Sequence, residues 1–260
     1  MSFVDITIKL IWQCMHPVLD SVASTLQCPP AWLTPYLPSL RLILLSAATE
    51  RIAGALNAAN DASTVQFVAH SALPARESYE AFIARTGRVP TRDNVHDLFN
   101  GVVWLSYPQT KRRMNQLQAQ EIASRGDSGP RGPIRDALTL FDENGAVLQA
   151  SAELIDALRN RDWCKLFVDR RSLWGSARLV LFGHALMEKL MQPRKAITAH
   201  VWVVDEITDD ALAASLTSER LAAKSFLPLP VLGVPGWWAG NEELGFYDDP
   251  AVFRRSPFAG

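Results

Sequence analysis

Cysteine is scarce in this chain: there are three, Cys14, Cys28 and Cys164, and none forms a Cys-x-x-Cys pair. An odd, widely spaced set gives no support to a disulfide framework or to the common zinc spacings, and reads as free buried thiols. Long apolar runs are also missing, since nothing approaches the ~18 residues that a membrane-spanning helix needs. Charge of one sign is absent too, with 26 Lys plus Arg against 27 Asp plus Glu and a formal net charge of −1. That balance excludes a protein that grips duplex DNA by basic excess, and no strong nucleic-acid signal takes its place. A disordered chain is excluded by the 48% of hydrophobic residues. No Gly-x-Ser-x-Gly elbow, phosphate loop of the Gly-x-x-x-x-Gly-Lys type or dinucleotide Gly-x-Gly-x-x-Gly is present. The start, Met1-Ser2-Phe3-Val4-Asp5, carries no basic region, and Asp5 and Lys9 interrupt its apolar stretch, so the expectation is no signal peptide and a cytoplasmic protein.

What the 260 residues do contain is tryptophan, eight of them, scattered as core and seam fillers would be. Periodicity predicts helices over residues 3–19 and 39–57, separated by the elbow Cys28-Pro29-Pro30 to Pro38. A short strand at 64–68 and a helix at 77–85, stopped by Gly87 and Pro90, come next. Residues 93–105 then read as a helix buried on most sides, and Pro108 restarts a helix whose Lys111-Arg112-Arg113 face is expected to be exposed. Asn144-Gly145 between two apolar runs carries the signature of a β-hairpin near 138–148. A second central helix is expected through 179–191, a strand at 197–204 and an amphipathic helix at 208–223. The fold class is therefore α+β, predominantly helical, with buried central helices, a small sheet and an irregular Pro/Gly/Trp-rich arm. One domain over 1–260 is expected: N-terminal helices to 60, a core over 61–225, and the arm over 226–260 packed on it.

Chemistry is expected on the two central helices. His96 and Asn100 lie four residues apart on the first, with Asp97 beside them, and His184 and Glu188 lie four apart on the second. If the two pairs face one pocket, His96, His184 and Glu188 can ligate a divalent metal. The same groups can instead supply acid–base chemistry without a metal, or simply satisfy one another as interior polar residues. Arg92, Arg131 and Arg135 are candidates for holding a small anionic molecule through forked hydrogen bonds. The acidic pair Asp142-Glu143 reads as the tip of the hairpin. Hydrolysis of a small anionic substrate, metal-assisted or not, is the leading functional expectation. The alternative is a non-catalytic protein that binds a small molecule or another protein through the Trp237-Trp238 arm.

Four segments together resemble a bacterial family known as domain of unknown function 3025. They are the stretch from Gly87 through Val95-His96-Asp97-Leu98-Phe99-Asn100, Arg131-Gly132-Pro133 through Asp142-Glu143, Phe182-Gly183-His184-Ala185-Leu186-Met187-Glu188-Lys189, and Leu229-Pro230 through Trp237-Trp238. The likeness spans roughly residues 60 to 255. It implies a soluble bacterial protein and brings no activity, ligand or catalytic residue with it.

Overall fold

The computed structural model describes residues 17–46, 51–60, 65–125 and 132–254. It forms two compact units, Met1–Gly129 and Pro130–Gly260. Trp12, Cys14 and most of the first expected helix lie outside the described residues, as does Arg131, and the other two cysteines, Cys28 and Cys164, are exposed rather than buried.

The first unit is mainly helical. Helix α1 (Pro17–Thr25), a 3-10 turn (Ala31–Tyr36), α2 (Leu37–Ser46) and α3 (Ile52–Ala58) precede β1 (Gln66–Ala69). Then come α4 (Tyr79–Thr86), β2 (Arg88–Thr91), α5 (Val95–Ser106) and α6 (Pro108–Arg125). The expected helix over 39–57 is two helices, because Arg51 is extended (ψ 160°) and starts α3 anew. Leu33, Tyr36, Leu40, Ile43, Ile52 and Phe99 are all fully buried, and Trp32 packs edge-on against Phe99 at 6.2 Å. Gly87 ends α4 in the left-handed region (φ 65°), the conformation that glycine adopts at least cost. The chain then enters β2, which pairs parallel with β1, Phe67 opposite Val89. Asn57 extends this ladder from the side: its amide donates to the Phe67 carbonyl at 2.7 Å and its oxygen accepts from the Phe67 N–H at 2.8 Å.

In the second unit, α7 (Pro133–Asn144) runs straight into β3 (Gly145–Gln149), and α8 (Ala152–Arg159) follows. After a π-helical turn (Lys165–Asp169) come β4 (Arg178–Leu181), α9 (His184–Leu190) and β5 (Thr198–Val203). Helices α10 (Asp209–Ser215) and α11 (Ser218–Ala222) lead to β6 (Leu227–Pro230). The sheet order is β4-β3-β5-β6, with β3 parallel to β5 and the outer pairs antiparallel.

Two expectations are corrected here. No hairpin forms near 138–148, because Pro133 at the helix start, Asp136 in the first turn and the buried row Ala137, Leu138, Phe141 favour a helix, and Asn144-Gly145 is where that helix ends. The continuous helix expected over 179–191 is a strand and a short helix broken at Gly183, since a four-residue apolar run fits a buried strand as well as a helix. The 208–223 segment is likewise two helices, each capped by a threonine, Thr208 and Thr217.

Pro228 and Pro230 lie opposite His200 and Thr198 on the edge strand β6. Neither has an N–H to lose, so both fit positions that do not bond to β5, and they blunt the open edge against further strand pairing. The arm beyond β6 is a series of 3-10 turns tied down by polar anchors. Asn241 is 2% exposed and donates to the carbonyls of Leu232 at 2.9 Å and Val234 at 2.8 Å. Arg171 reaches Asn241, Tyr247 and Glu242, and Tyr247 stacks on Phe167 at 5.1 Å. Among the described residues no helix is long and apolar enough to cross a membrane. Asn241→Ala should destabilise this unit by about 2–3 kcal/mol, because it strands two buried carbonyls. Urea denaturation checks this, and a change below ~0.5 kcal/mol would show that the arm is held by other means.

Candidate functional site

In the first unit, the start of α5 is built by side chains acting on backbone. Asn94 caps the helix by accepting from the Asp97 N–H at 2.7 Å, and the Asp97 carboxylate accepts from the Arg92 N–H at 2.6 Å. Asp97 therefore holds the turn from β2 into α5. His96, the second residue of α5, is half-buried, and the exposed Arg92 guanidinium lies 3.4 Å from the His70 ring. One turn further on, Asn100 donates to the Tyr79 hydroxyl at 2.9 Å and accepts from Lys111 Nζ at 2.9 Å. Of the face expected to be exposed, Arg112 is exposed but Lys111 is not: it is 4% exposed and its ammonium lies 5.4 Å from the Trp104 ring centre. Thr110, Asn115 and Gln118 are buried on α6 as well, so this helix turns a polar row inward, which hydropathy alone cannot detect.

The second unit places three titratable groups at one junction. His184 is the first residue of α9 and is buried. Its Nδ1 lies 4.0 Å from Asp142 and its Nε2 lies 3.6 Å from Glu143, both carboxylates being at the end of α7. The carboxylates paired with the ring are thus Asp142 and Glu143, the pair expected at a hairpin tip. Glu188, one turn along α9, is exposed.

Two glycines make this approach possible. The Phe182 and Gly183 N–H groups both donate to the Gly145 carbonyl, at 2.9 and 2.8 Å. A Cβ on Gly183 would lie 2.5 Å from the Glu143 carbonyl oxygen and 2.6 Å from the Asn144 nitrogen, closer than van der Waals contact permits. Phe141 and Phe182 stack across the junction at 4.5 Å. Lys189 donates to Asn144, the residue after Glu143, at 2.7 Å. Arg135 sits in the first turn of the same helix, eight residues before Glu143 and so ~12 Å away along the axis. It does not join this cluster.

Residues 65–256 match the model of a family described as protein of unknown function (DUF3025). The chain belongs to that family. No curated protein and no solved structure matches it. The span shared with the DUF3025 family includes Asp142, Glu143, Gly183 and His184, and it includes the Asn94–Asp97 cap of the first unit.

His200 on β5 adds a further titratable group to this unit. Burial pushes its imidazole below the ordinary value and the Lys189 charge pushes the same way. Its Nδ1 has no hydrogen-bond partner among the described residues, and its ring meets Phe226 edge-on. The folded state therefore prefers neutral His200. Below the unfolded value of about 6.5 the unfolded chain binds the extra proton, and stability falls with pH. His200→Gln should flatten the decline in urea midpoint between pH 7.5 and 5.5, and an unchanged decline would remove His200 as its source. Separately, Gly183→Ala should cost about 3 kcal/mol through backbone overlap. A cost under ~0.5 kcal/mol in the same titration would contradict so tight a contact.

Proposed function

We propose that the His184–Glu143–Asp142 cluster is a divalent-metal site serving hydrolysis of a small anionic ester. The observation that carries this reading is the 3.6 Å separation between His184 Nε2 and Glu143. It is too long for a hydrogen bond, yet close to the ~3.3 Å span of two ligands each ~2.0 Å from one tetrahedral ion. Asp142 on the far ring nitrogen supports the reading further, because metal-bound histidines commonly lean on a carboxylate that fixes the ring. His184 and Glu143 would hold the ion, and a divalent metal held there would supply an activated water near neutral pH. The chain's own residues hold the ion, orient the imidazole and offer Lys189 to the negative charge of the substrate. In the reaction the water oxygen joins the electrophilic centre, one of its protons leaves with the alcohol, and the acid product departs.

The alternative of a binding protein that presents Trp237-Trp238 draws less support. Trp238 packs edge-on against Phe246 at 6.3 Å, and the arm around it is anchored internally through Asn241 and Tyr247. Calorimetric titration of chelator-stripped protein with Zn²⁺ tests the metal reading. Wild type should bind near one equivalent, His184→Ala should lose binding, and Asp142→Asn should weaken it by about 10–100-fold. Hydrolysis of p-nitrophenyl phosphate should follow metal occupancy. Equal Zn²⁺ affinity in wild type and His184→Ala would overturn the site, as would a wild type that binds none.

A further inference from the structure

A second place in the Pro130–Gly260 unit carries chemistry of its own. Helix α8 ends in a hydrogen-bond pattern in which Asp162 N–H donates to the Ala157 carbonyl and Arg161 N–H to the Leu158 carbonyl. This closure puts the residue after the cap in the left-handed region, where glycine is the usual occupant. Here that residue is Arg161, with φ 52°. Among described non-glycine residues only Lys224 shares the feature (φ 47°), at the end of α11 in the same hydrogen-bond pattern. A cation at a helix C-terminus is favoured by the dipole in both cases. The two then differ. Lys224 pairs with Asp136 at 3.6 Å, whereas Arg161 has no ion pair or side-chain hydrogen bond among the described residues and lines a groove of about 330 Å³.

The groove's chemistry is consistent along its length. Arg254 is the second cation on its wall, and no carboxylate lines it. The nearby Asp249 is already engaged by Lys195 at 3.2 Å. Trp163, Pro228 and Pro230 supply flat apolar walls, and Thr198 adds a hydroxyl. Trp163 is itself fixed, since its Nε1–H donates to the Arg254 carbonyl at 2.8 Å. Two guanidiniums over apolar walls suit a small molecule with one oxyanion group and a flat hydrocarbon body.

We infer that this groove is a binding site for a small aryl or alkyl oxyanion, held by Arg161 and Arg254 and packed against Trp163. Arg161 supplies its guanidinium from a left-handed backbone position that glycine fits better. This site is independent of the His184 cluster.

Calorimetry with phenyl phosphate and with benzoate, on Zn²⁺-free protein, tests the inference. Either probe should bind in the millimolar range or tighter, more strongly than inorganic phosphate, which lacks the flat body. Arg161→Gly should raise the melting temperature, by relieving the backbone, while weakening the probe at least 10-fold. Lys224→Gly makes the same backbone change away from the groove and should leave binding unaltered. Failure of both probes to bind wild type overturns the inference. So does Arg161→Gly with wild-type affinity, or an equal loss in Lys224→Gly.

Discussion

The structure of the second unit depends on one backbone contact. Where α7 gives way to β3, the Gly145 carbonyl accepts both the Phe182 and Gly183 N–H groups, and Gly183 lies too close to residues 143 and 144 for any side chain. A side chain at Gly145 would equally run into the Phe141 carbonyl at 2.3 Å. This double glycine contact brings the end of one helix against the start of another. Asp142 and Glu143, the last carboxylates of α7, thereby flank the first side chain of α9, His184. The stacked Phe141 and Phe182 rings close the apolar side of the same junction. Packing, sheet register and the proposed chemistry therefore share one physical origin.

Polar side chains divide into those used up by the fold and those facing one another. Asp97 and Asn94 serve the first turn of α5, and Asn57 completes the ladder of β1. Asn241 and Arg171 do the same for the C-terminal arm. Arg171 holds side chains of the arm, and each of the others gives a backbone group its partner. In the His184 cluster, by contrast, titratable side chains face one another, at 4.0 Å from Asp142 and 3.6 Å from Glu143.

Much of the architecture was legible in the sequence. The helix over 95–106, the stop at Gly87, the restart at Pro108 and the strand near 198–203 all follow from local signals. The family likeness was legible as well, from segments that the matched span contains. The α7–β3 junction was misread because Asn144-Gly145 satisfies hairpin chemistry, while the stronger evidence lay upstream in Pro133, Asp136 and the 137/138/141 row. That error hid Asp142 and Glu143, since a carboxylate at a solvated turn has no reason to meet a buried imidazole. His184 was visible as a polar residue in apolar company, but its neighbours depend on β4 and α9 being separate elements. Lys111 and Tyr79 were hidden for another reason: their partner Asn100 is a long-range contact with no periodic signature.

The Gly145–Gly183 contact anchors the second unit and fixes the carboxylates beside His184. Native-state amide hydrogen exchange, resolved by residue, tests it most directly. If the claim holds, the Phe182 and Gly183 amides exchange only through global unfolding of that unit, as slowly as the central strand β5. Exchange of either amide at rates typical of exposed loop residues would contradict it.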